Sequence, residues 1–294
     1  MLQAPRRTGL SGPTLIRLLT RLTDAEVQQS RQSLSDHLCQ WLGWTDAIAL
    51  SAALNTSPPV IAPGARLFSS AEERECVRVR TTLADAIASD TAATAAKRIA
   101  PVPAPAKKLA AVLAEDEFDY SSFRQRYLSL QHTMETSIGN LRSRLRGMVA
   151  ARNGEWTRLA VVDAIMDRAL LPKERALLGA IPKLLQTHFD RLRKAEEAAL
   201  AAAEAQAAAE AQDLADADAP ADTAAETEGN ARADGDAAVA ALDAAPANAA
   251  APVPAITAGA WLDTFRADMR AVLLAELDVR LQPVEGLLAA LRTS

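Results

Sequence analysis

Large apolar residues recur at spacings of three and four along most of this chain, and between those runs they almost vanish. Such spacing gathers side chains on one face of an α-helix, so the pattern predicts a set of amphipathic helices. The first run passes through Leu34, Leu38, Trp41, Leu42, Ile48 and Leu50, is interrupted at Gly43-Trp44, and stops at Pro58-Pro59, which remove backbone donors. A second begins at Ser70-Ala71-Glu72-Glu73, which has the form of a capping box, carries Cys76, Val79, Leu83 and Ile87, and should end near Ser89. The clearest run is Phe123, Tyr127, Leu130, Met134, Ile138, Leu141, Leu145 and Met148, close to the seam of a coiled coil or helical hairpin, with Asn153-Gly154 as its stop.

Leu159, Val162, Ile165, Met166 and Leu170 predict the next helix, closed by Leu171-Pro172. A returning helix shows Leu177, Leu178, Ile181, Leu184, Leu185, Phe189 and Leu192, with Pro182 expected to kink or split it, and runs into an Ala/Glu tract ending at Gln212 that has little to bury. The final helix should be capped by Thr257, stapled by Ile256 and Trp261, and bent at Pro283. Its apolar stripe is Trp261, Leu262, Phe265, Met269, Leu273, Leu277, Leu281, Val284 and Leu288, continuing to Leu291.

The gaps between runs set the predicted organisation. Residues 1–90 form an N-terminal helical region, 91–115 an Ala/Pro-rich linker, 116–212 a helical bundle or coiled-coil region, 213–256 a disordered acidic linker, and 257–294 a C-terminal amphipathic helix. Asp213 to Pro254 has too few large side chains to offset the entropy of ordering it. The fold class is therefore all-α: a helical bundle with coiled-coil-like helices, a disordered Ala/Asp/Glu-rich linker and a C-terminal amphipathic helix.

Composition narrows the choice. Only 4% of residues are aromatic although 49% are hydrophobic, which implies a modest core. Twelve glycines, two cysteines and the lack of a long apolar run speak against collagen-like, disulfide-rich and membrane-spanning classes. The net charge of -5 conceals a division, since thirteen acidic residues and a single base, Arg232, lie between Glu196 and Ala258. The rest of the chain is mildly basic. Arg6-Arg7 could be mistaken for an export signal, but Arg17 and Arg21 interrupt the apolar stretch that would follow, so the expected location is the cytoplasm. Cys39 and Cys76 are then expected to be reduced core residues.

The chemistry-bearing motifs are few. The chain has no P-loop, dinucleotide fingerprint or nucleophile elbow. His37, His132 and His188 stand apart without ligand spacing, so no metal site is expected. Glu115-Asp116-Glu117 and Asp119 suit the start of a helix, where negative charge complements its dipole. Asp163, Asp167 and Arg168 are expected on a solvated face. Arg142, Arg144, Arg146 and Arg152, with Arg124 and Arg126 upstream, could contact phosphates, but Arg144 points away from Arg142 and Arg146, and no aromatic is interleaved to stack on bases. The final helix balances Arg266, Arg270 and Arg280 with Asp263, Asp268, Glu276 and Asp278, unlike a membrane-surface helix.

Two stretches, Ser33 to Ala47 (SLSDHLCQWLGWTDA) and Trp261 to Leu291 with Phe265-Arg266-Ala267-Asp268-Met269-Arg270 and Leu281-Gln282-Pro283-Val284-Glu285, resemble a proteobacterial family, the domain of unknown function numbered 3348. The family carries no known activity or catalytic residue. Its genes neighbour ones for proteins resembling stator-type proton-channel subunits and peptidoglycan-binding domains, so the resemblance implies a cytoplasmic accessory to an envelope-spanning complex.

The leading expectation is a non-catalytic, cytoplasmic helical interaction or scaffold protein without cofactors. It would bind a protein partner or self-associate through its amphipathic helices, and associate with a membrane complex without inserting. The C-terminal stripe is too apolar to leave in water and should dock either on the chain's own helices or, the preferred reading given the tether, on a partner. The alternative is a nucleic-acid-associated protein using Arg142 to Arg152. An enzyme with an unrecognised site is the least favoured reading.

Overall fold

A computed structural model of the chain describes residues 14–23, 32–55, 69–99, 119–152, 154–217 and 259–293. Its helices are α1 (Thr14–Thr23), α2 (Leu34–Trp41), α3 (Trp44–Asn55), α4 (Ser70–Ile99), α5 (Tyr120–Ala150), α6 (Gly154–Leu178), α7 (Ile181–Ala217) and α8 (Ala260–Arg292). No strand occurs among the described residues, and the fold is all-α.

The chain divides into two units, one of Met1–Leu192 with Trp261–Ser294 and one of Arg193–Ala260. In the first unit α5 and α6 form an antiparallel-type hairpin joined at Ala151 and Arg152, α4 packs on α5, and α2 and α3 pack on α6. The core draws on α4 (Cys76, Leu83, Ile87), α5 (Phe123, Tyr127, Met134, Ile138, Leu141, Leu145), α7 (Ile181, Leu185, Phe189) and above all α8. Sixteen of the 33 residues of α8 are buried, over an arc wider than the single stripe the sequence marks. The strip through Asp263, Ala267, Asp278, Gln282, Glu285 and Ala289 stays exposed, and a helix covered on most of its circumference is a main core element, so α8 organises this unit.

The second unit holds the Ala/Glu part of α7 from Arg193, whose residues 201–212 are all exposed, as their composition predicts. Arg193 Nε pairs with Glu197 Oε1 at 2.9 Å one turn on. Glu196 Oε1 accepts the backbone N–H of Gly259 at 2.8 Å, and Gly259 has φ 87°, a left-handed conformation that glycine takes without steric cost.

Several boundaries differ from the sequence expectation. The capping box of α4 lies one residue earlier: Ser69 Oγ accepts the N–H of Ala71 and Glu72 Oε2 accepts the N–H of Ser69 at 2.9 Å, a pairing with the same three-residue spacing as Ser70 and Glu73. The α4 backbone continues to Ile99, past Ser89, because the alanine-rich stretch Ala92 to Lys97 is a good helix former whatever it buries. The remainder of the Ala/Pro-rich linker lies outside the described residues. Gly154 does not cap α5 in a left-handed conformation but begins α6; Asn153 lies outside the described residues.

Pro172 does not end α6, which runs through it to Leu178. The break comes at Gly179-Ala180, where a Cβ on residue 179 would sit 2.8 Å from the carbonyl oxygen of Arg175, so only glycine fits. The returning segment from Leu177 to Leu192 is thus split, as expected, but the break lies at Gly179-Ala180, and Pro182 falls in the first turn of α7, where its missing N–H is no loss. α7 extends through Ala217, so residues 213–217 of the expected linker are helical; 218–258, with Thr257 and Ile256, lie outside the described residues. Asp119, expected to place negative charge at the start of this helix, is its N-cap, with Oδ1 accepting the N–H of Ser121; Glu115 to Glu117 are outside the described residues.

Candidate functional site

Three features could carry function: a polar cluster buried against α8, a carboxylate and guanidinium lattice between α5 and α6, and the outer face of α3.

The polar cluster centres on Glu276, which is fully buried. Its carboxylate accepts the Tyr127 hydroxyl at 2.6 Å, the Gln131 amide at 3.0 Å and Arg280 Nε at 2.9 Å. Gln131 also donates to the carbonyl of Leu178 at 3.1 Å, and Arg280 Nη1 reaches Glu174 at 3.0 Å. A buried carboxylate needs several donors of this kind to stay in an apolar interior. Burial pushes Glu174 above the usual carboxylate range despite the attraction of Arg280. A second cluster holds His188, buried against Phe265: Nε2 lies 2.9 Å from Asp268 Oδ2 and Nδ1 lies 3.2 Å from Arg191 Nη2. Arginine can only donate, so Nδ1 accepts and Nε2 carries the proton shared with Asp268.

Both tyrosines of the chain lie in this interior. Tyr120 donates to the carbonyl of Pro182, and burial pushes its pKa up to about 12. Burial and the neighbouring Glu276 carboxylate raise Tyr127 further. A phenol whose folded pKa exceeds its unfolded value near ~10 contributes stability that is whole below that value and is lost as pH rises toward the folded one. The native chain should therefore show almost no phenolate absorbance at pH ~10.5, whereas the chain in denaturant titrates both phenols near ~10. A native titration matching the denatured one would mean the rings are not buried as described.

The lattice is built from residues one turn apart on facing helices. Arg142 holds Asp163 at 2.6 Å and Asp167 at 2.5 Å, and Arg146 holds the same two carboxylates at 2.7 Å each. All four side chains are largely covered. Asp163 and Asp167 thus do not form a solvated face, because α5 meets α6 along it. Arg168 does stay exposed, pairing with Asp46 at 3.0 Å, and Arg144 reaches Glu75 at 3.2 Å.

The nine residues expected to bind a partner on the C-terminal helix, Trp261, Leu262, Phe265, Met269, Leu273, Leu277, Leu281, Val284 and Leu288, are all buried in the chain's own core. Phe265 sits edge-on to Phe189 at 5.0 Å and to Phe123 at 5.2 Å, and Trp261 edge-on to Phe189 at 4.8 Å. The preference for an external partner is thereby overturned: the faces of α5 and α7 that the sequence marks as apolar are the faces this stripe covers.

The exposed apolar surface lies elsewhere. No residue of α2 or α3 is buried, although α3 is among the most apolar elements of the chain. Trp44 is 81% exposed, Leu34 73%, and Ile48 and Leu54 53% each. Leu34 and Ile48, inward positions by periodicity, therefore face solvent. Of the cysteines, both are free; Cys76 is buried as expected, but Cys39 is exposed, because α2 lies at the surface. A groove of about 520 Å³ follows one side of α4 past Ser70, Glu73, Arg74 and Val77 and is open to solvent.

Among the described residues, no helix is long and apolar enough to cross a membrane, and no group of three or more His, Cys, Asp or Glu is placed to hold a metal ion. Fold and site together define an all-α protein built around its own C-terminal helix. The chain belongs to the family described as Protein of unknown function (DUF3348), whose model matches residues 1–222 and 231–293. No curated protein and no solved structure matches it.

Proposed function

We propose that this chain is a non-catalytic, cytoplasmic helical interaction protein that serves as an accessory to an envelope-spanning, proton-channel-like complex, and that it binds through α3 and not through the C-terminal helix. The observation that carries the reading is the solvent-facing side of α3, an apolar surface headed by the 81% exposed Trp44. Singly exposed apolar residues are ordinary, but a helix apolar on both sides with only one side packed is a feature of interaction surfaces. The pairing of the interior polar groups supports the same reading, since Glu276, Arg280, Tyr127 and Gln131 satisfy one another. Arg142 and Arg146, the basis of the nucleic-acid alternative, each face two carboxylates, which weakens their pull on phosphate.

Affinity purification of the full chain from its native cell, comparing wild type with Trp44→Asp, tests the reading. Loss of specific co-purifying protein, or of self-association, is expected. Identical recovery and identical oligomeric state for both forms would overturn it.

A further inference from the structure

We infer that the outward face of α3 is the contact between two copies of this chain, arranged about a two-fold axis with the helices antiparallel; this names the partner for the interaction reading above and rests on it. The argument begins with how α3 divides. Asp46, Ala49, Leu50 and Ala53, spaced by three and four, are half-buried on the side toward α6. Trp44, Ala47, Ile48, Ser51, Leu54 and Asn55 are exposed on the opposite arc. Asp46 is the helix's only charged residue, and it faces inward to pair with Arg168.

The outward arc is therefore without charge along its whole length. Protein partners recognised by electrostatics need complementary charge, and nothing on this arc offers it. A second copy needs none, and meets no like-charge repulsion when the same surface approaches itself. The order of side-chain sizes also suits a two-fold. Large Trp44 and Ile48 alternate with small Ala47 and Ser51, so an antiparallel pair can set Ile48 against Ser51 of the partner subunit and Trp44 against Leu54 of the partner subunit. Close helix approach of this kind depends on small residues at the crossing point.

Area sets the strength. The exposed parts of these side chains would bury roughly 500 Å² per copy, or ~1,000 Å² for the pair, which reaches the lower limit of specific interfaces. The expected dimer is accordingly reversible, dissociating on dilution. The hydrophobic burial is dominated by Trp44, an aromatic of the type that anchors interfaces.

Sedimentation velocity on the full chain over a wide concentration range is the test. Wild type should pass from monomer to dimer as concentration rises. Ile48→Asp should stay monomeric throughout, and so should Ser51→Arg, which changes an exposed position with little packing and guards against a folding defect in the first variant. Both should melt within a few degrees of wild type. With Cys39→Ser as background, Ser51→Cys should form a disulfide between copies under mild oxidation, because Ser51 lies near the axis. A wild-type chain that stays monomeric would overturn the inference, as would a dimer that survives both substitutions and forms no Ser51→Cys crosslink. If wild type is monomeric but Ser51→Arg loses a co-purifying protein, the second-copy inference fails while the interaction reading stands. If Ser51→Arg alters neither, both fail.

Discussion

Replacing Phe265 with alanine should remove about 3 to 5 kcal/mol of folding stability, among the largest losses expected from a single substitution in this chain. The ring is 0% exposed and lies within aromatic contact of Phe123, Phe189, Tyr120 and His188, contributed by α5 and α7. Truncation removes buried area and leaves a cavity walled by rings that cannot all collapse into it. Met269→Ala, one turn on and 2% exposed, should cost about 2 to 5 kcal/mol by the same route. Urea unfolding followed by circular dichroism measures both. A loss below ~1 kcal/mol for Phe265→Ala would show that α8 does not dock on its own bundle.

Removing the Glu276 side chain is the second large effect. Glu276→Ala leaves Arg280, whose side chain is 6% exposed, with the partly exposed Glu174 in place of a fully buried carboxylate partner, and takes the acceptor from the Tyr127 hydroxyl and a share of the bonding from Gln131. Breaking a buried pair in this way costs about 3 to 5 kcal/mol. Adding Arg280→Met to Glu276→Ala should restore part of the loss, because a buried guanidinium that keeps only the partly exposed Glu174 as counter-charge is what makes the single change costly. Salt should change the single-variant loss little, since the pair is shielded from solvent ions. A double-variant loss equal to the sum of the two single losses would mean the two groups are not coupled.

The α8 polar cluster shows where the sequence is silent. Glu276 and Arg280 stand at the four-residue spacing of an ordinary surface ion pair, and by charge alone they balance the helix like any solvated face. Only the position of α8 among α5, α6 and α7 turns them inward. A signal is nevertheless present: Tyr127 and Gln131 lie on the inner arc of α5, one within its apolar run and one beside it, and buried polar groups require partners. Arg142, Arg146, Asp163 and Asp167 are legible as pairs one turn apart on neighbouring helices, and the hairpin of α5 and α6 is expected. That they face each other depends on the rotation of each helix about its axis.

The placement of α3 departs from the sequence pattern for a related reason. Its apolar residues repeat on two sides, which periodicity reads as strong evidence of burial, yet one side meets α6 and the other meets solvent. At Pro172 the local rule and the fold also part company. A proline's effect depends on whether its position falls in a first turn, and Gly179 moves that turn.

The sequence by itself determined that the chain is helical, which faces of α4, α5, α7 and α8 are apolar, and where the large side chains give out. Those properties follow from spacing and propensity, which are local and survive any arrangement of the helices. The tertiary structure alone decided that α8 organises its own bundle, that Glu276 and His188 are interior groups, and that Trp44 faces outward. Hydrophobic attraction has no direction, so an apolar stripe states that something must cover it without naming the cover; that is settled only when all the helices compete for the same faces.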